Sequence, residues 1–270
     1  LGQKGVVAIC EPLSFGPTGV ISEYTPGTDP TPIIGSDLTS AEAMFLREMT
    51  KGSSQTNGPI KILIYRPAGT SGVAAAATVG ALTATAKYVG TRGNDITIII
   101  AANAVTGYDI VTSVGGAIVD TQTVTDLKDL VANDWVTFSG TGTTITTTAG
   151  TALTGGVDPT VTAADDAAFL TAIEPYTFDI IAYDGESQTV ADAYVAFVTR
   201  MNDSVGRKCQ LVVGGFTGYN NKYVISANNG VVLADGSTLN AKQVVWWLAG
   251  AEAGANYNQS LTYAQYPEAV

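Results

Sequence analysis

The chain has 270 residues, of which 46% are hydrophobic and only 14% charged, a balance that excludes a disordered chain and allows one large or two ordinary domains. Its 24 acidic against 13 basic residues give a net charge of -11, which disfavours binding to nucleic acid or to anionic lipid. Two cysteines, Cys10 and Cys209, stand far apart, so neither a disulfide framework nor a zinc site is expected, and histidine is absent altogether.

Residues 1–72 mix short apolar strands with loops rich in Pro and Gly, such as Thr25 to Pro30, where regular pairing stops. One helix is expected there: Thr39 and Glu42 have capping-box spacing, Phe45, Leu46 and Met49 make an apolar stripe, and Gly52 follows. Ile60 to Tyr65 reads as a β-branched strand closed by Pro67.

Residues 73–153 change to Thr, Val, Ala and Gly, with strand-like runs at Asp95 to Ala101, Tyr108 to Thr112 and Trp135 to Phe138. A small β domain is expected, with one short helix around Asp126 to Ala132 and an edge strand at Thr143 to Thr148.

Residues 154–270 alternate helix and strand. Thr162 caps a helix carrying Asp165 and Asp166 in its first turn and packing Phe169, Leu170 and Ile173. Phe178 to Tyr183 is a continuous apolar strand, suited to a sheet covered on both faces. Ser187 caps the best amphipathic helix, with Val190, Ala193, Tyr194, Phe197, Val198 and Met201 at spacings of three and four. Cys209 to Val213 and Tyr223 to Ala227 follow as strands, and Asn240 with Gln243 opens a last helix. Its apolar run is too short to span a bilayer, and Ala249, Gly250, Ala253 and Gly254 permit close approach of another backbone. The adjacent Trp246 and Trp247 must point to different sides, which predicts that one leaves the core or meets a contact surface. The alternation implies a mainly parallel α/β layer, split by the β region into two parts.

Without histidine there is no Ser-His-Asp or Cys-His arrangement, and the commonest general base near neutral pH is missing. Asp184 and Glu186 remain as a conceivable carboxylate pair after a strand, but they read more simply as an acidic turn feeding a helix N-terminus. Gly214, Gly215 and Gly218 lack the Lys-Ser or Lys-Thr pair of a phosphate loop, and Gly90, Gly93 and Asn94 suit positive backbone angles rather than a nucleotide site. Lys61 and Arg66 are read as ordinary scattered bases. The catalytic, cofactor and metal site residues expected are none, and the chain is read as not an enzyme.

Several stretches, in order, resemble the contractile tail sheath family of myophages, tailocins and related prophage elements. They are Gly5 to Ala8 with Pro12 to Pro17, Ile62 to Arg66, Tyr88 to Ile96, Leu153 to Asp158, and Trp247 to Gly254 followed by Ser260 to Thr262. The resemblance implies a subtilisin-like, mainly parallel α/β layer domain, formed by residues 1–72 and 154–270, with a small β-sandwich-like domain inserted at 73–153. It implies no cofactor and a mechanical role: subunits polymerise around a tail tube and contract to drive it through a cell envelope. The implied partners are other sheath subunits, the tail tube protein, the baseplate and the tail terminator, in a virion tail assembled in the host bacterial cytoplasm. Family members carry an arm before the region of Gly5 and a domain after that of Thr262, so a trimmed, monomeric fragment is expected from a chain running from Leu1 to Val270. Two other readings stand beside this one: a secreted or surface β-rich binding module, and a histidine-free α/β hydrolase using Asp184, Glu186 or Ser260.

Overall fold

The computed structural model describes residues 5–256 and 258–269; Leu1 and Val270, where the chain begins and stops, lie outside the described residues. Strand β1 (Val6–Cys10) is followed by β2 (Ile21–Tyr24), the single turn α1 (Thr31–Ile34), α2 (Met44–Thr50) and β3 (Lys61–Tyr65). The β-rich stretch comprises β4 (Ala76–Val79), β5 (Leu82–Ala86), β6 (Ile96–Ala102), β7 (Tyr108–Val114), β8 (Ala117–Val124), β9 (Val136–Ser139) and β10 (Thr148–Ala152). Then come α3 (Ala163–Ile173), β11 (Ile180–Tyr183), α4 (Gln188–Arg200), β12 (Gln210–Gly214), β13 (Val224–Ala227), the short β14 (Val231–Val232) and β15 (Thr238–Leu239), and α5 (Ala241–Ala253).

Six strands form one sheet in the order β13-β12-β11-β1-β3-β2, all parallel except β2. Because side chains alternate across a strand, each strand feeds two cores. Val7, Ile9, Ile62, Ile64, Ile180 and Val212 pack on one face against α2 and α5. Val6, Ala8, Leu63, Ile181, Leu211 and Val213 pack on the other against α3 and α4. Coverage of both faces explains the unbroken apolar runs in these strands.

The β-rich stretch folds into a four-stranded antiparallel sheet, β10-β6-β7-β8, and a three-stranded one, β4-β5-β9. Ile96, Ile98 and Ile100 from one sheet and Leu82, Ala84 and Val136 from the other close a third core. Phe15, from the loop after β1, enters that core and meets the Trp135 and Tyr88 rings at 4.9 and 5.1 Å. The chain enters and leaves this region along antiparallel bridges, Thr70 to Thr160, Val73 to Val157 and Ala76 to Thr154.

Three local expectations are corrected. Thr39 and Glu42 form no capping box: α2 starts at Met44 without a side-chain cap, Thr39 bonds Asp37, and the Glu42 carboxylate accepts from the Ser14 amide and hydroxyl instead. A long-range acceptor role has displaced the local one. Residues 126–132 contain one 3-10 turn, Leu127–Asp129, rather than a helix, because Asp126 caps it locally and the Val131 amide is drawn to Gln122. The Thr run gives no strand before Thr148, and the edge strand β10 lies at Thr148–Ala152, where partners on β6 exist. Of the two adjacent tryptophans, Trp247 is buried in the α2/α5 core, while Trp246 is half-buried at its margin with its indole N–H bonded to Asp184.

The capping predictions farther along hold. The Thr162 amide and hydroxyl both donate to the Asp165 carboxylate, Ser187 accepts from the Val190 amide, and Asn240 and Gln243 form a reciprocal box. Cys209 is buried. Among the described residues, no helix is long and apolar enough to cross a membrane.

Candidate functional site

In an open parallel sheet, ligands bind beyond the carboxyl ends of the strands where the strand order reverses. Here the order reverses between β1 and β11, since the chain first builds outward through β3 and later through β12 and β13. Glu11 follows β1 and Asp184 follows β11, so neighbouring strands deliver two carboxyl groups to this point. The parallel register that sets Ile9 opposite Ala182 carries Glu11, two residues on, opposite Asp184. Glu11 is 8% exposed, and its Oε1 is buried with no hydrogen-bond partner. The Trp246 indole N–H, from α5, donates to Asp184 Oδ2 at 2.7 Å.

Burial, with Asp184 alongside, holds the Glu11 carboxyl well above the usual carboxylate range, and burial raises Asp184 as well. Lys242, one turn before Trp246, donates its ammonium to the Gly185 carbonyl and stands 3.7 Å from the centroid of the Phe216 ring. Burial lowers its pKa.

Sequence spacing pairs Asp184 with Glu186, and the structure separates them. The Glu186 side chain is 89% exposed, 3.8 Å from Lys242, while Asp184 turns inward to Glu11. Ser260, the third candidate, is exposed, and its hydroxyl bonds Thr262. The three do not converge. Two cavities of about 500 and 540 Å3 lie elsewhere: one is lined by Asp179, Lys208, Lys222 and Glu252 among others, the other by Ser53, Ser54 and Gln265 to Pro267. Cys10, beside Glu11, has its thiol pushed far up by burial, which removes it as a nucleophile near neutral pH. The arrangement can hold a proton, and the Cys10 thiol beside it is not an activated nucleophile.

Of the residues expected at positive backbone angles, Gly90 has φ 124°, whereas Gly93 and Asn94 do not, because they lie inside the 3-10 turn Thr91–Asp95. Asn94 exchanges hydrogen bonds with the Gly156 backbone at 2.8 and 3.0 Å, stitching the way into the β-rich region to the way out. Arg66, 2% exposed, donates to the carbonyls of Leu13, Gly16 and Val89 at 2.6 to 2.8 Å. Lys61 pairs with Glu23 at the surface. Glu11 escapes sequence reasoning because nothing local marks it; the one signal is an acid placed directly after an apolar run.

Sheet edges at β2 and β13 in the large sheet, and at β8 and β10 in the β-rich region, carry no further strand among the described residues. Such edges are ready to pair with another chain.

Two family models match in succession: the phage tail sheath protein beta-sandwich domain over residues 70–158 and the phage tail sheath protein central domain over residues 160–270. Among solved structures, the chain is similar to a sheath tail protein of Desulfitobacterium hafniense, at 42% identity and a TM-score of 0.92 over 100% of this chain and 63% of that one. A sheath tail protein of Listeria innocua is similar at 33% identity and a TM-score of 0.85, over 100% and 60% of the two chains. The phage-like element PBSX protein XkdK of Bacillus subtilis (strain 168) is 33% identical over 100% of this chain and 60% of its own length. The chain thus spans about 60% of the length of the relatives it matches.

Proposed function

Because the chain belongs to the phage tail sheath protein family, a family of structural virion tail components, we propose that it serves as a structural subunit that polymerises around a tail tube and contracts to drive it through a cell envelope. The observation that carries this reading is the unbroken likeness to a sheath tail structure along the whole chain, sandwich and central region together. In this reading residues 1–72 and 154–270 are one subtilisin-like α/β domain without a catalytic site, and residues 73–153 are its insertion. Support comes from β1 and β3 sharing a parallel sheet with β11 to β13 across the intervening β-rich stretch. The absence of histidine and the separation of Asp184, Glu186 and Ser260 favour mechanical work over turnover. Neighbouring subunits, tube, baseplate and terminator are the partners, and assembly takes place in the host bacterial cytoplasm.

The test is electron microscopy of the full-length gene product expressed with and without the tube protein from the same locus. Ordered hollow tubes, long and narrow over the tube protein and shorter and wider after triggering, are expected. A product that stays monomeric under both conditions refutes the proposal. A clear zone of hydrolysed substrate from the purified chain would instead favour the enzyme reading.

A further inference from the structure

The Glu11 and Asp184 carboxyls join three elements from distant parts of the chain: β1 from the first 10 residues, β11, and α5 through Trp246. Around them, β1 contributes the Cys10 thiol, and the loop after β11 contributes Glu186. Helix α5 contributes Lys242, α3 contributes Asp165 and Asp166, and α4 contributes Tyr194, whose hydroxyl donates to Asp166 at 2.8 Å. From β3, the Tyr65 carbonyl accepts from the Glu11 amide at 2.9 Å. Among the described residues, the cation acting on Asp184 is Lys242, whose ammonium goes to the Gly185 carbonyl and the Phe216 face. A buried and a half-buried carboxylate side by side, with the Trp246 indole as side-chain donor to Asp184, cannot both be ionised at low cost, whereas one shared proton satisfies them. The partnerless Glu11 Oε1 fits the same picture, since a neutral carboxylic acid tolerates a dry site far better than an anion does.

We propose that Glu11 and Asp184 form a one-proton latch that clamps the ends of β1 and β11 to α5, and that raising the pH opens it. The sign follows from linkage. A carboxyl whose folded pKa lies above its unfolded value keeps its proton in the folded state across the interval between them. The latch therefore holds fully below the ordinary carboxylate range and weakens as pH rises toward the folded pKa.

The test is urea unfolding of the 270-residue chain from pH 5 to pH 9 for wild type, E11Q and D184N, followed by circular dichroism. An amide in place of one acid mimics the protonated state permanently. E11Q should therefore gain on wild type as pH rises, by up to about tenfold in the folding equilibrium constant per pH unit. D184N should behave alike. A wild-type to E11Q ratio that stays constant across the range overturns the latch. Infrared difference spectra of the wild type alone give a second readout, independent of whether the variants fold. A protonated carboxyl stretch present at pH 7 and lost on alkalinisation supports the latch, and its absence at pH 7 refutes it.

Discussion

The contact between α5 and α2 offers the sharpest test of how this fold is held together. A Cβ placed on Gly250 would stand 2.7 Å from the Met49 carbonyl carbon and 2.9 Å from its Cα, and closer still to the carbonyl oxygen. Carbon atoms in contact settle at about 3.5–4.0 Å, so Gly250→Ala forces α2 back by roughly 1 Å. That helix carries Phe45, Leu46 and Met49, all nearly inaccessible to solvent, so the shift loosens one whole face of the six-stranded sheet. Overpacking of this kind costs about 1–3 kcal/mol and occasionally more, while the better helix propensity of alanine returns about 1 kcal/mol. Because the obstacle is backbone rather than a flexible side chain, the upper end applies, for a net loss of about 2 kcal/mol. Calorimetry should then show a Tm lower by roughly 4–8 °C. Gly254→Ala, whose Cβ would meet the Asn57 carbonyl carbon and Gly58 oxygen at 2.8 Å, should behave alike. If Gly250→Ala is as stable as the parent or more so, the close-approach argument is wrong and propensity alone governs the site.

Arg66→Lys should destabilise the chain by about 2–4 kcal/mol, because one ammonium cannot serve the three buried carbonyls that the guanidinium spans; chemical denaturation measures this directly. Asp165→Ala tests the cap of α3. Burial opposes ionisation of Asp165, but the amides of Thr162 and Gly69 outweigh it and hold its carboxyl below the usual value. Its contribution is therefore present above the ordinary carboxylate pKa and lost as pH falls, so the variant should cost about 1 kcal/mol at neutral pH and converge on wild type in acid. Tyr266→Phe removes the hydroxyl that donates to buried Glu48 and accepts from Lys51, and should cost about 1–2 kcal/mol in urea unfolding.

Local codes in this chain were legible wherever a residue's partner lies within one helical turn. Thr162 with Asp165, Ser187 with Val190 and Asn240 with Gln243 are read from spacing and hold in space. The apolar runs of β3, β11 and β12 were equally readable, since a strand buried on both faces needs no alternation. Small residues late in α5 announced a close backbone approach, though not which backbone would come.

Wherever a partner lies far along the chain, the local code failed. Thr39 and Glu42 have the spacing of a cap, but Ser14, 28 residues away from Glu42, captures that carboxylate. Strand β8 went unread because its side chains are mostly exposed, so its pairing with β7 leaves little apolar pattern behind. By itself the sequence determined the starts of α3, α4 and α5, the doubly covered strands and the lack of imidazole chemistry, all properties of composition or of neighbours three or four residues apart. Tertiary structure alone decided that Asp184 turns from Glu186 to meet Glu11, because parallel strand order brings together residues more than 170 positions apart and burial then changes their chemistry, and that Arg66 bridges carbonyls 23 to 53 residues away.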